Sequence, residues 1–277
     1  MLSIFETISS EMMIKIEKFY DFVDNKHVEQ AAVRSKEIMT AVGDKSHGFD
    51  HIVNVIEFVE RIGNEDEKIM LVAKIIAYFH DVEDGKLKER NNGRYKVKDE
   101  LEKLFDNCGE WSKVIEIICK LIDNFGISKR LKKYGTLQKA QVEEKKVINK
   151  FIKNRLMISA LIAQCGDMLD AMKPDVAFRY IGSGHKGVVY DSKNDKNVEK
   201  FLDNHCYTSI DFDYNFTQGD IKKLSLFGII IIRSMAIEVL LHNEKAHAIA
   251  LEMFVGLEEN LKKMRKSFAD KPISDYQ

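Results

Sequence analysis

The chain has 277 residues, 45% of them hydrophobic and 31% charged, with 43 Lys and Arg against 44 Asp and Glu, 2 Pro and 15 Gly. That profile belongs to a globular protein and excludes a disordered or fibrous chain. A net charge of -1 argues against a general nucleic-acid binder, and so few Pro and Gly leave room for long helices.

In chain order, apolar residues recur at helical spacing over residues 4–23, where Glu6, Glu11 and Glu17 interrupt the unbroken apolar run that a signal peptide would need. The helical period continues over 28–42. It resumes through Ile52, Val55, Ile56, Val59 and Ile62, then through Ile69, Val72, Ala73 and Ile76 as far as Phe79. Residues 85–95, rich in Gly, Asn and charge, read as a loop. Further helices are expected over 97–105, 111–125 and 142–171, loops over 182–197 and 203–220, and helices over 218–241 and 245–266. The most apolar stretch, 224–241, holds Ser225, Arg233, Ser234 and Glu238, which argues against a membrane span. Strand-like alternation is scarce. The expectation is an all-α cytoplasmic protein, one helical domain over 1–277 with a core at about 28–171 and closing helices at about 218–266. Cys108, Cys119, Cys165 and Cys206 lie far apart with no C-x-x-C pair, as expected of reduced core thiols.

Chemistry concentrates in three places. His51 precedes Val55 and Phe58 at i+4 and i+7, so its imidazole points along the apolar face of its helix. His80 and Asp81 end an almost wholly apolar helix, where an imidazole beside a carboxylate is costly unless a cation compensates both. Asp167 shares a helix face with Ala160, Ala163, Asp170 and Ala171, small residues that permit close approach of a neighbouring helix. Singly, each has an ordinary structural reading. Together they supply His, His-Asp and Asp from three buried faces, a set suited to a divalent metal.

This ordered set resembles the metal-dependent HD-domain phosphohydrolases, whose signature is His, then His-Asp, then a later Asp, all on helices. The match reads His51, His80-Asp81 and Asp167, with S-H-G-F-D-H-I-V-N-V around the first and G-D-M-L-D-A around the last. It covers about 46–171, and residues 247–259 are similar to the closing helix of small bacterial members. Asn54 stands where relatives often carry Arg, and Gly166 where Ala is usual. The resemblance implies an HD-domain helical bundle with a C-terminal helical elaboration. It also implies one divalent ion (Mn, Co, Fe, Ni, Zn or Mg) on His51, His80, Asp81 and Asp167, with coordination positions left for water and a phosphate oxygen. No His lies between Asp81 and Asp167, which favours one metal over two.

The expected activity is hydrolysis of a phosphate ester or pyrophosphate bond in a small phosphorylated metabolite, a nucleotide first of all. The competing class is a non-catalytic metal-containing module that senses a nucleotide, and a metal-dependent nuclease would need a basic groove leading to the metal. Glu83 and Asp84 follow the ligands directly and are candidates for handling the attacking water, with capping of the next turn as the alternative. Of the cations at Lys86, Lys88, Arg90 and Arg94, Lys86 and Arg94 are the candidates for phosphate contact, joined by His47 and Arg179. Asp170 is expected to orient the Asp167 region. The basic run Lys129-Arg130-Leu131-Lys132-Lys133 reads as a solvated helix face.

Overall fold

The computed structural model describes residues 8–43, 48–83, 87–106, 109–125, 127–151, 153–175, 225, 227–231 and 242–267. Every regular element among them is a helix, so the protein is all-α. The elements are α1 (Ser10–Phe22), α2 (Asn25–Val42), α3 (Phe49–Ile62), α4 (Glu67–Phe79), α5 (Lys88–Asn91), α6 (Val97–Leu104), α7 (Ser112–Ile122), α8 (Ile127–Tyr134), α9 (Leu137–Phe151), α10 (Arg155–Asp170) and α11 (Glu244–Ser267). Among the described residues no helix is long and apolar enough to cross a membrane. The loops expected at 182–197 and 203–220 and most of the helix expected over 218–241 lie outside the described residues.

Met1–Phe125 with Glu144–Asp167 forms one compact unit, and Gly126–Glu143 with Met168–Gln277 a second. Most of the core expected over 28–171 falls in the first. In that unit α4 is the central helix: it packs on α1, α2 and α3, and Ile69, Leu71, Val72, Ala73, Ile75, Ile76, Ala77 and Phe79 are all buried. Only the stripe of Glu67, Met70, Lys74 and Tyr78, with Lys68, keeps some exposure, so the helix is enclosed on most of its circumference. It starts on Asp66, whose carboxylate accepts from the amides of Lys68 and Ile69 at 3.0 and 3.3 Å, capping two of the free N–H groups of the first turn.

Polar contacts set α10 against α4. Arg155 grips Asp66 through Nη2 at 2.8–2.9 Å, and Ser159 donates to the Ile69 carbonyl at 2.9 Å while sharing a 2.8 Å hydrogen bond with the Tyr20 hydroxyl of α1. Burial pushes the Tyr20 hydroxyl far above its ordinary pKa, so it stays neutral in this network. With Arg155 meeting the start of α4 and Asp167 meeting His80 at its end, the two helices run side by side in the same direction. α3 ends at Gly63, whose φ of +60° suits a residue without a Cβ, and its other end carries His51 back to the end of α4.

Two expected elements differ. The single helix over 142–171 is two, because Asn154 accepts from the Leu156 and Met157 amides at 3.0 and 3.2 Å and caps a new start. The loop over 85–95 contains the short helix α5. In the second unit, Arg130 and Leu131 are buried, Arg130 donating toward the Met168 sulfur at 3.4 Å, so only part of the run from Lys129 to Lys133 is a solvated face. Asn260 donates to the Pro174 carbonyl at 2.7 Å within that unit, tying α11 to the chain that follows α10.

Candidate metal centre

Three helices deliver the residues. His51 stands near the start of α3, His80 and Asp81 immediately beyond the end of α4, and Asp167 near the end of α10. His51, His80 and Asp81 form a buried group able to hold a metal ion. The Nε2 atoms of His51 and His80 are 3.3 Å apart. Asp81 places Oδ2 3.3 Å from His51 Nε2 and Oδ1 3.4 Å from His80 Nε2. Oδ1 of Asp167 is 3.5 Å from both imidazole nitrogens. Donors about 2.1 Å from one shared ion stand roughly 3.0–3.5 Å from each other, so this spacing fits a common cation.

Three further observations test that fit. His80 is held by its other nitrogen: Nδ1 lies 2.7 Å from the Ala77 carbonyl, which can only accept, so the proton sits on Nδ1 and the Nε2 lone pair is turned to the cluster. Asp81 Oδ2 is buried and makes no hydrogen bond, an expensive state for a carboxylate oxygen unless a cation lies beside it. Burial lowers the affinity of His80 for a second proton, yet Asp81 and Asp167 overcome it and raise the pKa to about 9. Burial would raise the two carboxylates, but the imidazoles outweigh it and hold both below the usual range. The cluster therefore attracts positive charge at neutral pH, and a divalent ion satisfies the same demand as that proton.

Gly166 brings Asp167 to this place. A Cβ on it would stand 2.9 Å from the Val55 carbonyl oxygen and 2.9 Å from Val59 Cγ2, so α10 approaches α3 more closely than any residue with a side chain permits. The flanking Ala160 and Ala163 are buried as expected, but the contact turns on the glycine.

The other expected site residues divide. Glu83 is exposed, and its Oε2 accepts the Val97 amide at 2.7 Å, so it caps the start of α6. This is the capping alternative, on a helix fourteen residues ahead rather than on the next turn. Arg94 is exposed on the turn after α5, its guanidinium 4.9 Å from the centre of the Tyr95 ring. Asp170 is buried at the last position of α10, three residues beyond Asp167. Asp84, Lys86, His47 and Arg179 lie outside the described residues. Asn91 was not singled out from sequence. It is buried, its Nδ2 donates to the carbonyls of Val82 and Tyr95 at 2.8 Å each, and its Oδ1 accepts the Tyr95 amide at 2.7 Å. Its signal was an Asn in a predicted loop shortly after His80 and Asp81, where side-chain to backbone bonding is common.

Comparison with protein-family models, with curated proteins and with solved structures found no match to the chain.

Proposed function

We propose that the protein is a metal-dependent phosphohydrolase that cleaves a phosphate ester or pyrophosphate bond of a small phosphorylated metabolite, a nucleotide first of all. The observation that carries the reading is the convergence of His51, His80, Asp81 and Asp167, five donor separations of 3.3–3.5 Å built from three helices. These four would hold one divalent cation, Mn, Co, Fe, Ni, Zn or Mg. Such an ion supplies Lewis acidity toward a phosphoryl oxygen and makes water a better nucleophile near neutral pH.

The chain's own residues supply the rest. His80 keeps Nε2 available through its Nδ1 contact with Ala77, and Asp81 and Asp167 balance the charge of the ion. Two carboxylates against a divalent ion leave the site near neutral, so a phosphate group meets no excess of negative charge. Asp167 is the most open of the four, its side chain 23% exposed against 2% for His80, which supports an approach for substrate on that side.

The test is release of phosphate from a nucleotide panel by protein loaded with Mn, Co or Mg. Turnover that a chelator abolishes and added metal restores is the expected result. Metal-loaded protein that hydrolyses nothing but binds nucleotide tightly would make this a metal-containing sensor module instead.

A further inference from the structure

The ligand pair His80-Asp81 lies beyond the last residue of α4, in a turn where the regular helical ladder no longer fixes the chain. The Val82 amide makes only a 3.3 Å contact back to Phe79. Among the described residues, the only side chains on the Asp81 carboxylate are the imidazoles of His51 and His80, which are themselves members of the cluster. Support from outside the cluster comes through the main chain, and the main chain just after Asp81 is held by Asn91, through the buried 2.8 Å hydrogen bond from Nδ2 to the Val82 carbonyl.

Asn91 is itself braced. Its second Nδ2 hydrogen and its Oδ1 close both backbone polar groups of Tyr95, and the Tyr95 ring has Arg34 of α2 at 5.5 Å and Arg94 at 4.9 Å. One residue earlier, Arg90 donates to the Gly43 carbonyl at the end of α2 at 2.6 Å. The segment 90–95 is thus fastened to α2, and Asn91 is the link from it to the metal ligand.

We infer that Asn91 is a positioning residue for Asp81, setting the carboxylate for the ion by fixing the Val82 peptide. The inference rests on the metal reading above. It predicts a defect in coordination, which a merely stabilising side chain would not cause. Asn91→Asp keeps an acceptor for the Tyr95 amide and removes both donors, the one to the Val82 carbonyl and the one to the Tyr95 carbonyl.

The experiment is Co(II) titration of the full chain, followed by equilibrium dialysis and by the visible absorption of bound cobalt, for wild type, Asn91→Asp, Asn91→Ala and Ser9→Ala. Ser9 caps α1, with its Oγ 3.2 Å from the Met12 amide, and its variant loses stability without touching this segment. All proteins are compared at a temperature where circular dichroism shows each folded. Asn91→Asp should bind cobalt at least roughly tenfold more weakly, the scale of losing an outer partner of a metal ligand, and with altered band positions and intensity. Ser9→Ala should match wild type. Should Asn91→Ala not fold, Asn91→Asp decides. Wild-type affinity and spectrum in Asn91→Asp would overturn the role of Asn91 while leaving the metal site standing, whereas a wild type that binds no cobalt would overturn both.

Discussion

Gly166 of α10 faces the Val55 carbonyl of α3, and a methyl group there would lie 2.9 Å from that oxygen. His51 stands one turn before Val55 and Asp167 directly follows Gly166, so this backbone contact sets the distance between two residues of the candidate metal site.

Gly166→Ala therefore has two opposed effects. Alanine favours the helix by about 1 kcal/mol, but the clash with fixed backbone costs roughly 1–3 kcal/mol, as overpacking does. The expected outcome is a net loss in thermal stability together with weaker metal binding, since separating the helices moves Asp167 from His51. Thermal denaturation and metal content of the purified variant measure it, and a more stable protein with wild-type metal content would show that α10 has room.

Asp81→Ala removes the carboxylate that lies within 3.4 Å of both imidazole nitrogens. Metal content and hydrolysis should fall together, with metal affinity reduced by well over the roughly 10–100-fold of an outer-partner loss. Elemental analysis after dialysis against the metal gives the answer, and unchanged metal content would remove Asp81 from the ligand set.

Glu83 separates capping from chemistry. Glu83→Gln keeps an oxygen for the Val97 amide, so stability and turnover should stay near wild type, while Glu83→Ala should lose about 1 kcal/mol for the lost cap. Denaturant melts and steady-state kinetics on the pair distinguish the roles. A fall in kcat for Glu83→Gln with KM and metal content unchanged would return the residue to the reaction.

The clustering of these residues was legible because helical periodicity states which face is buried, and His51, His80 and Asp167 each fall on or at the end of an apolar face. What escaped were features made by side chains bonding to distant backbone. Asn154 breaks a hydrophobic pattern that runs on unbroken through 142–171, and neither Pro nor Gly marks the place. Asn91 and Glu83 act on Val82 and Val97, pairings that no local spacing reveals. In the basic run, charge was visible but burial was not: Arg130 turns inward while Lys129, Lys132 and Lys133 stay exposed. Gly166 stood out in the sequence only as a departure from the pattern it resembles, and its reason appears only with Val55 opposite it.

The support of the metal-site segment should also depend on pH through Glu100. This carboxylate, buried on α6, receives Arg34 Nε and Nη2 at 2.5 and 3.2 Å and Lys103 at 2.9 Å. Burial alone would raise its pKa, but the hydrogen bonds from Arg34 and Lys103 outweigh that and hold it below the ordinary carboxylate value. A depressed folded-state pKa contributes stability that is fully present above the unfolded value of about 4.3 and is lost as pH falls through the folded value. Because Arg34 is 36% exposed, water replaces part of what it loses, so Glu100→Gln should cost about 1–2 kcal/mol at pH 7. The gap between variant and wild type should then narrow as pH falls below the unfolded value and close once it has passed the depressed folded value, where both proteins carry an uncharged group. Arg34 also lies over the ring of Tyr95, whose backbone Asn91 grips, so the same substitution should weaken cobalt binding at pH 7 by a smaller factor than Asn91→Asp does. Urea melts of chelator-treated protein at pH 3.5 and 7 test the first part and the cobalt titration the second; a stability gap independent of pH would show that the Glu100 charge contributes nothing to holding α2 against α6.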